Sequence, residues 1–206
     1  MGSDHHYTVN EIFYSLQGEG ARAGTANVFV RFSACNLKCA KDTHGFDCDT
    51  EFVSGRRMTA QQILAEAKIT GGEKCEWIIL TGGEPTLQVD AELVRVLAEE
   101  GRYMLAIETN GTNPVPEGIA WITLSPKVAE HAIAVTRCHE IKYVRGHGQG
   151  IPKPNPHIEI THHRFISPAA EGNRIDPRAL AWCVELVKGN PEWRLSIQQH
   201  KTWQVR

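Results

Sequence analysis

"EWIILTGGEP", Glu76 to Pro85, is the stretch on which the fold turns. Its apolar run is too short for a buried helix and is cut off at once by two glycines, so it reads as a buried strand ending in a tight turn. Downstream a helix is expected from about Asp90 to Glu100, followed by three more short apolar runs, "YMLAIETNG", "AWITLSP" and "HEIKYV". Each ends in polar or glycine-bearing residues. Upstream, Thr59 and Gln62 are spaced as a capping box for a helix reaching about Thr70, and "NVFVRFS" alternates as a strand does. Asp176 and Pro177 cap and open a last helix ending near Gly189, and "EWRLSIQQHK" reads as a final strand. Strands alternating with helices give an α/β chain with a largely parallel sheet, whose ligands sit at the carboxyl ends of the strands. The glycine- and proline-rich segment 146–157, "GHGQGIPKPNPH", is a loop.

The chain has 206 residues, 41% of them hydrophobic, and a formal net charge of -2. That length suits one core, so 7–206 is expected to be a single domain, with 1–6 an expression-tag remnant or a disordered start. Without a basic block there is no electrostatic footprint for direct nucleic-acid binding or for an anionic membrane. No stretch approaches a membrane span and no signal peptide is apparent, which points to a cytoplasmic setting. Six cysteines there are thiols rather than bridges. Cys75, Cys138 and Cys183, in or beside apolar runs, read as small buried residues.

The other three, Cys35, Cys39 and Cys48, lie within fourteen residues of one another in "SACNLKCAKDTHGFDCDTEF". A closed structural zinc site needs a fourth ligand, and His44 in the same loop is the candidate. A four-iron four-sulfur cluster held by three thiolates keeps one iron open. The spacing C-x3-C-x8-C leaves both readings standing.

The chain as a whole narrows the choice. "SLQGEG" (Ser15–Gly20), "FVRFSACNLKC" (Phe29–Cys39), "CDTEF" (Cys48–Phe52), "TGGEP" (Thr81–Pro85), "ETNG" (Glu108–Gly111) and "SPK" (Ser125–Lys127) occur in this order. Together they resemble the 7-carboxy-7-deazaguanine synthase family, small radical S-adenosylmethionine enzymes of the queuosine and 7-deazapurine pathway. The resemblance runs from about Val9 to the C-terminus. It implies a truncated, partial (β/α) barrel and the conversion of 6-carboxy-5,6,7,8-tetrahydropterin to 7-carboxy-7-deazaguanine with loss of ammonia. In the family it resembles, reductive cleavage of S-adenosylmethionine at the cluster yields a 5'-deoxyadenosyl radical, and hydrogen abstraction at C6 of the pterin begins a ring contraction.

By the same resemblance Cys35, Cys39 and Cys48 are the cluster ligands and Thr50 the magnesium ligand. Gly83, Glu84, Glu108, Asn110, Ser125, Lys127 and Asp49 belong to the cofactor site. Leu16, Gln17, Gly18, Glu19, Arg31, Thr81, His200 and the C-terminal carboxylate of Arg206 belong to the substrate site. Arg31 suits a carboxylate because its guanidinium is a planar fork, and magnesium suits oxygen ligands. A homodimer and a flavodoxin-like or other low-potential reductant are also implied.

The sequence departs from the superfamily pattern in its cysteine loop, where C-x3-C-x2-C is usual. Asp47 stands where an aromatic residue precedes the last cysteine, and Phe46 is the candidate to replace its adenine contact. Two other functions fit parts of the sequence. A glycyl-radical-activating enzyme would need the cysteines without Arg31 and "LQGEG", and a zinc-bearing interaction module would need no catalytic residues.

Overall fold

The computed structural model describes residues 5–40, 51, 53–171 and 174–205. Cys48, Asp49, Thr50 and Arg206, with His44, Phe46 and Asp47, therefore lie outside the described residues.

Eleven strands are formed among the described residues: β1 (Tyr7–Leu16), β2 (Ala26–Phe32), β3 (Arg56–Met58), β4 (Trp77–Gly82), β5 (Met104–Thr109), β6 (Trp121–Leu124), β7 (Arg137–Arg145), β8 (Glu159–Pro168), β9 (Ala170–Glu171), β10 (Arg174–Ile175) and β11 (Arg194–Leu195). Nine form one sheet in the order β11-β8-β7-β6-β5-β4-β2-β1-β3, and β9 and β10 pair separately. From β2 through β4, β5, β6, β7 and β8 to β11 every pairing is parallel. Within this sheet the pairings of β1 with β2 and with β3 are antiparallel, and the separate β9–β10 pair is antiparallel too. The sheet is open, and its outer strands do not pair with each other.

Among the described residues four α-helices accompany it: α1 (Ala60–Gly71), α2 (Ala91–Arg95), α3 (Pro177–Gly189) and α4 (Gln199–Trp203). The α1 start is the capping box expected from the sequence: the Gln62 N–H donates to the Thr59 hydroxyl (3.3 Å), and the Thr59 N–H to the Gln62 side chain (2.8 Å). Asp90 caps α2, accepting from the Leu93 N–H at 2.9 Å, and a π-helical turn continues α2 from Val96 to Glu100. Asp176 accepts from the Arg178 N–H at 2.8 Å, and Pro177, lacking an N–H, opens α3.

Strict alternation divides the sheet into two faces. Val28, Val30, Phe32, Ile78, Leu80, Leu105 and Ile107 face α1 and α2 in one core cluster. Leu124, Ile141, Tyr143, Ile166 and Cys183 form a second cluster on the α3 side. Phe13, Phe29, Ile79 and Ala106, with Trp77 and Trp121 against them, pack on the opposite, concave face. Cys75, Cys138 and Cys183 are all buried. Burial raises the Cys138 thiol pKa to about 12 and the Cys183 thiol to about 11.

Two departures from the sequence reading bear on the site. Between β5 and β8 the crossovers are loops and a 3-10 turn rather than helices, so the helical layer is incomplete there. The segment expected to be a final strand pairs with β8 only through Arg194 and Leu195. It then leaves the sheet because the Gln199 N–H bonds to the Gly18 carbonyl at 2.9 Å, and α4 begins. His200 accordingly sits on a helix and not at a strand end. Among the described residues no helix is long and apolar enough to cross a membrane.

Candidate active site

At the carboxyl ends of the parallel strands the concave face turns from apolar to polar. One residue pair per strand records the change: Phe29 then Arg31 on β2, Ile79 then Thr81 on β4, Ala106 then Glu108 on β5, and Trp121 then Thr123 on β6. Below this line Trp77 and the Arg22 guanidinium, 3.4 Å above its ring, help close the floor. Burial lowers the Arg22 pKa to about 10, against the opposing influence of Glu140 and Glu108.

Above it lie two cavities. The first is lined by Cys35, Cys39, Gly83, Glu108, Asn110, Ser125 and Lys127. The second is lined by Leu16, Gln17, Gly18, Arg31 and His200. Glu19, Thr81, Glu108 and Gln198 line both and form the wall between them. Of the residues assigned from the sequence, Gly83, Asn110, Ser125 and Lys127 line the first space, Leu16, Gln17, Gly18, Arg31 and His200 the second, and Glu19, Thr81 and Glu108 both.

The "TGGEP" turn sets the position of the cysteine loop. The Gly83 N–H donates to the Phe32 carbonyl (3.2 Å) and the Glu84 N–H to the Ala34 carbonyl (3.0 Å), carrying the β2–β4 pairing past the strand ends. A Cβ on Gly83 would lie 2.2 Å from the Ala34 oxygen and 2.8 Å from the Cys35 Cβ, so only glycine permits this approach. Ala34 adopts a left-handed φ of 69°, an uncommon conformation for a residue with a Cβ, immediately before Cys35. From the other side Asn36 donates to the Thr112 hydroxyl (2.8 Å) and accepts from the Asn110 side chain (3.1 Å), tying the loop to the end of β5. The Leu37 N–H points at the Cys35 Sγ, 3.4 Å away.

The structure does not bring the Glu84 carboxylate to either cavity. Glu84 is fully buried behind the turn, where it accepts from the Asn110 N–H (2.7 Å), the Thr109 hydroxyl (2.7 Å), and the N–H (3.0 Å) and hydroxyl (2.6 Å) of Thr86. It clamps the ends of β4 and β5 together. Lys127 folds back so that its ammonium donates to the Ser125 hydroxyl at 2.6 Å and carbonyl at 3.1 Å.

The dividing wall is a hydrogen-bond chain. Glu108 accepts from the Gln17 amide (2.7 Å) with one oxygen and from the Thr81 hydroxyl (3.0 Å) with the other, while the Gln17 side-chain oxygen receives the Glu19 N–H (3.1 Å). Arg31 is held by its Nε to Glu11 at 2.9 Å. The α4 helix closes the second cavity, since a Cβ on Gly18 would fall 2.1 Å from the His200 Nδ1.

Sequence reasoning missed Lys142 of β7, whose ammonium pairs with the Glu19 carboxylate. Burial on its own would raise the Glu19 pKa, but Lys142 first, then His200 and Gln198, hold it below the ordinary carboxylate value. Burial would likewise lower Lys142, and Glu19 and Glu108 overcome it, so the ammonium is retained. The signal was present in "HEIKYV": alternation puts Lys142 two residues after Glu140 and on the same face. Ser167 and Pro168 at the end of β8 and Ala170 of β9 also line the first cavity.

Comparison with known proteins gives this geometry a context. The model of the Radical SAM superfamily matches residues 30–126, which span the cysteine loop and strands β4 to β6. A 7-carboxy-7-deazaguanine synthase of Bacteroides thetaiotaomicron is 43% identical over 96% of this chain and 98% of its own. The chain belongs to the 7-carboxy-7-deazaguanine synthase family. A member from Bradyrhizobium diazoefficiens is 37% identical over 97% of this chain and 99% of its own. The crystal structure of QueE from Escherichia coli shares the fold, with a TM-score of 0.69 at 24% identity over 94% of each chain.

The residues present fit the cofactor of a radical S-adenosylmethionine enzyme. Cys35 and Cys39 are half-buried thiols on one loop, both lining the first cavity, and thiolates are the donors an iron–sulfur cluster takes. Beside them Gly82, the last residue of β4, and Gly83 after it line the same space without side chains.

Proposed function

We propose that the protein is a 7-carboxy-7-deazaguanine synthase, a carbon–nitrogen lyase acting on 6-carboxy-5,6,7,8-tetrahydropterin. The observation that carries this reading is the shared wall: the cavity with the thiols and the cavity with Arg31 and Gln17 meet at Thr81, Glu108 and Glu19. A hydrogen can pass between two bound molecules only where they touch, and this wall is where they would.

Cys35, Cys39 and, by its sequence position, Cys48 would hold a four-iron four-sulfur cluster. Gly83, Asn110, Ser125 and Lys127 would surround S-adenosylmethionine. When bound, the pair supplies radical hydrogen abstraction; the protein supplies position and exclusion of water.

In the second cavity Arg31, steadied by Glu11, would receive the pterin carboxylate. Gln17, Gly18 and Glu19 would meet its hydrogen-bonding edge, and His200 on α4 would shut the cavity behind it. The hydrogen bonds of Gln17 and Thr81 to Glu108 hold the wall in one conformation, so the pterin finds its acceptors already placed. Thr50 is assigned to magnesium, and Thr50→Val is expected to weaken the magnesium dependence of turnover while leaving iron and sulfide content unchanged. A homodimer supplied by a low-potential reductant completes the proposal.

The test is an anoxic turnover of reconstituted protein with reductant, S-adenosylmethionine, magnesium and the pterin, read by mass spectrometry. Appearance of 7-carboxy-7-deazaguanine is the expected result. If 5'-deoxyadenosine forms without it, the substrate assignment fails and the glycyl-radical-activating alternative gains. If iron and sulfide analysis finds one zinc and no sulfide, the radical reading fails as well.

A further inference from the structure

The wall between the cavities contains a charged group to which the proposed roles give no work. Lys142 projects from β7 onto the concave face, with its side chain only 12% exposed, and its ammonium donates to Glu19, only 15% exposed. A surface pair of this kind would be of small consequence, but here both charges are largely withdrawn from solvent. The groups facing the pair come from several elements. Gln198 hydrogen-bonds to Glu19, and His200 of α4 lies close enough to act on it. Lys142 feels Glu108 of β5 and Glu140 of β7 as well as Glu19. Glu108 is committed to Gln17 and Thr81, and Glu140 to the Thr123 hydroxyl and the Ala21 N–H, both at 2.9 Å. Glu19 is the carboxylate that Lys142 engages directly, and it lines both cavities.

An ionised carboxylate can only accept hydrogen bonds, whereas a protonated one can also donate. We propose that Lys142 is a specificity-determining positioning residue, which by pairing with Glu19 keeps that side chain an acceptor at the junction of the two cavities. The site then selects a ligand that presents N–H donors, such as the amino–amide edge of a pterin. It rejects a ligand with a carbonyl in place of the amine, because two acceptors would be forced together without water between them. The inference rests on the pterin reading above. The lowered pKa of Glu19 agrees with it: loss of Lys142 would raise that pKa, so that a proton remains on Glu19 at mildly acid pH and is released as pH rises.

The experiment is equilibrium binding by calorimetry to the cluster-loaded protein with S-adenosylmethionine present. The two ligands are 6-carboxypterin and its 2-oxo counterpart, 6-carboxylumazine. The parent protein is expected to prefer the pterin by at least about 100-fold at both pH 5.5 and pH 7.5. Lys142→Met is expected to reduce that ratio about tenfold at pH 5.5 and to regain part of it at pH 7.5, whereas Lys142→Arg keeps the parent ratio at both. A purely structural role would weaken both ligands equally and leave the ratio unchanged. An unchanged, pH-independent ratio in Lys142→Met would overturn the inference while leaving the proposed function intact. If Lys142→Met does not fold, Glu19→Gln, which puts an amide donor at the same place, must lower the ratio, and its failure to do so overturns the inference equally. Failure of the parent protein to bind the pterin at all would sink the substrate reading and the inference with it.

Discussion

Replacing Glu84 by alanine would test whether this glutamate belongs to the framework or to the ligand. Its carboxylate takes four donors at 2.6 to 3.0 Å, and two of them, the Asn110 N–H and the Thr109 hydroxyl, are buried. Thr86, nearer the surface, can turn to water, but those two cannot. Each buried donor left unpaired costs about 1–3 kcal/mol, and the relief of no longer burying a carboxylate offsets part of the total. A net loss of about 3–5 kcal/mol is expected. In a chain of this size that lowers Tm by about 6–20 °C. The assay is urea unfolding of the protein without cluster or S-adenosylmethionine, where the midpoint should fall with an unchanged slope. A loss below about 1 kcal/mol, with S-adenosylmethionine binding abolished in the reconstituted protein, would refute the reasoning and make Glu84 a ligand contact.

Cys39→Ala should leave reconstituted protein short of iron and sulfide and without cofactor cleavage, whereas Cys75→Ala, buried far along the chain in the α1 core, should load normally. Gly83→Ala should lower cluster loading, measured as iron per chain, because its Cβ would collide with the backbone that precedes Cys35. Thr59→Ala should destabilise the protein by about 1 kcal/mol in urea unfolding, through loss of the α1 cap, with no change in cluster content.

The parts of this fold that were legible in the sequence are those where local chemistry speaks alone. The caps at Thr59 and Asp176 announced their helices, and the apolar runs of β4, β5 and β6 announced a buried sheet. Strand β8 was not anticipated because Thr161, His162, His163 and Arg164 interrupt its alternation with a polar run. The expected last strand failed for a nonlocal reason: the Gly18 carbonyl, far away in sequence, captures Gln199 and ends the pairing. The site shows the same division. The family resemblance named residues that gather in the two cavities, but residue type gives no direction, so the Glu84 carboxylate, assigned to the cofactor site, points behind the turn instead. Lys142 was missed because a lone lysine in a strand acquires its meaning only from Glu19, which is 123 residues away.

Segments 18–20 and 196–200 meet beside the second cavity. The Gly20 N–H donates to the Ser196 hydroxyl at 2.9 Å, the Gln199 N–H reaches Gly18, and His200 covers the Gly18 backbone. A ribosome therefore releases nearly the whole sheet before the residues that roof this cavity have emerged. During synthesis the thiol loop and the β4 turn can form early, while the pocket beside them stays open until Ser196, Gln199 and His200 arrive. A chain cut before Ser196 would thus keep the segments that form the thiol loop and lack those that cover the substrate cavity, so cleavage there should separate the two.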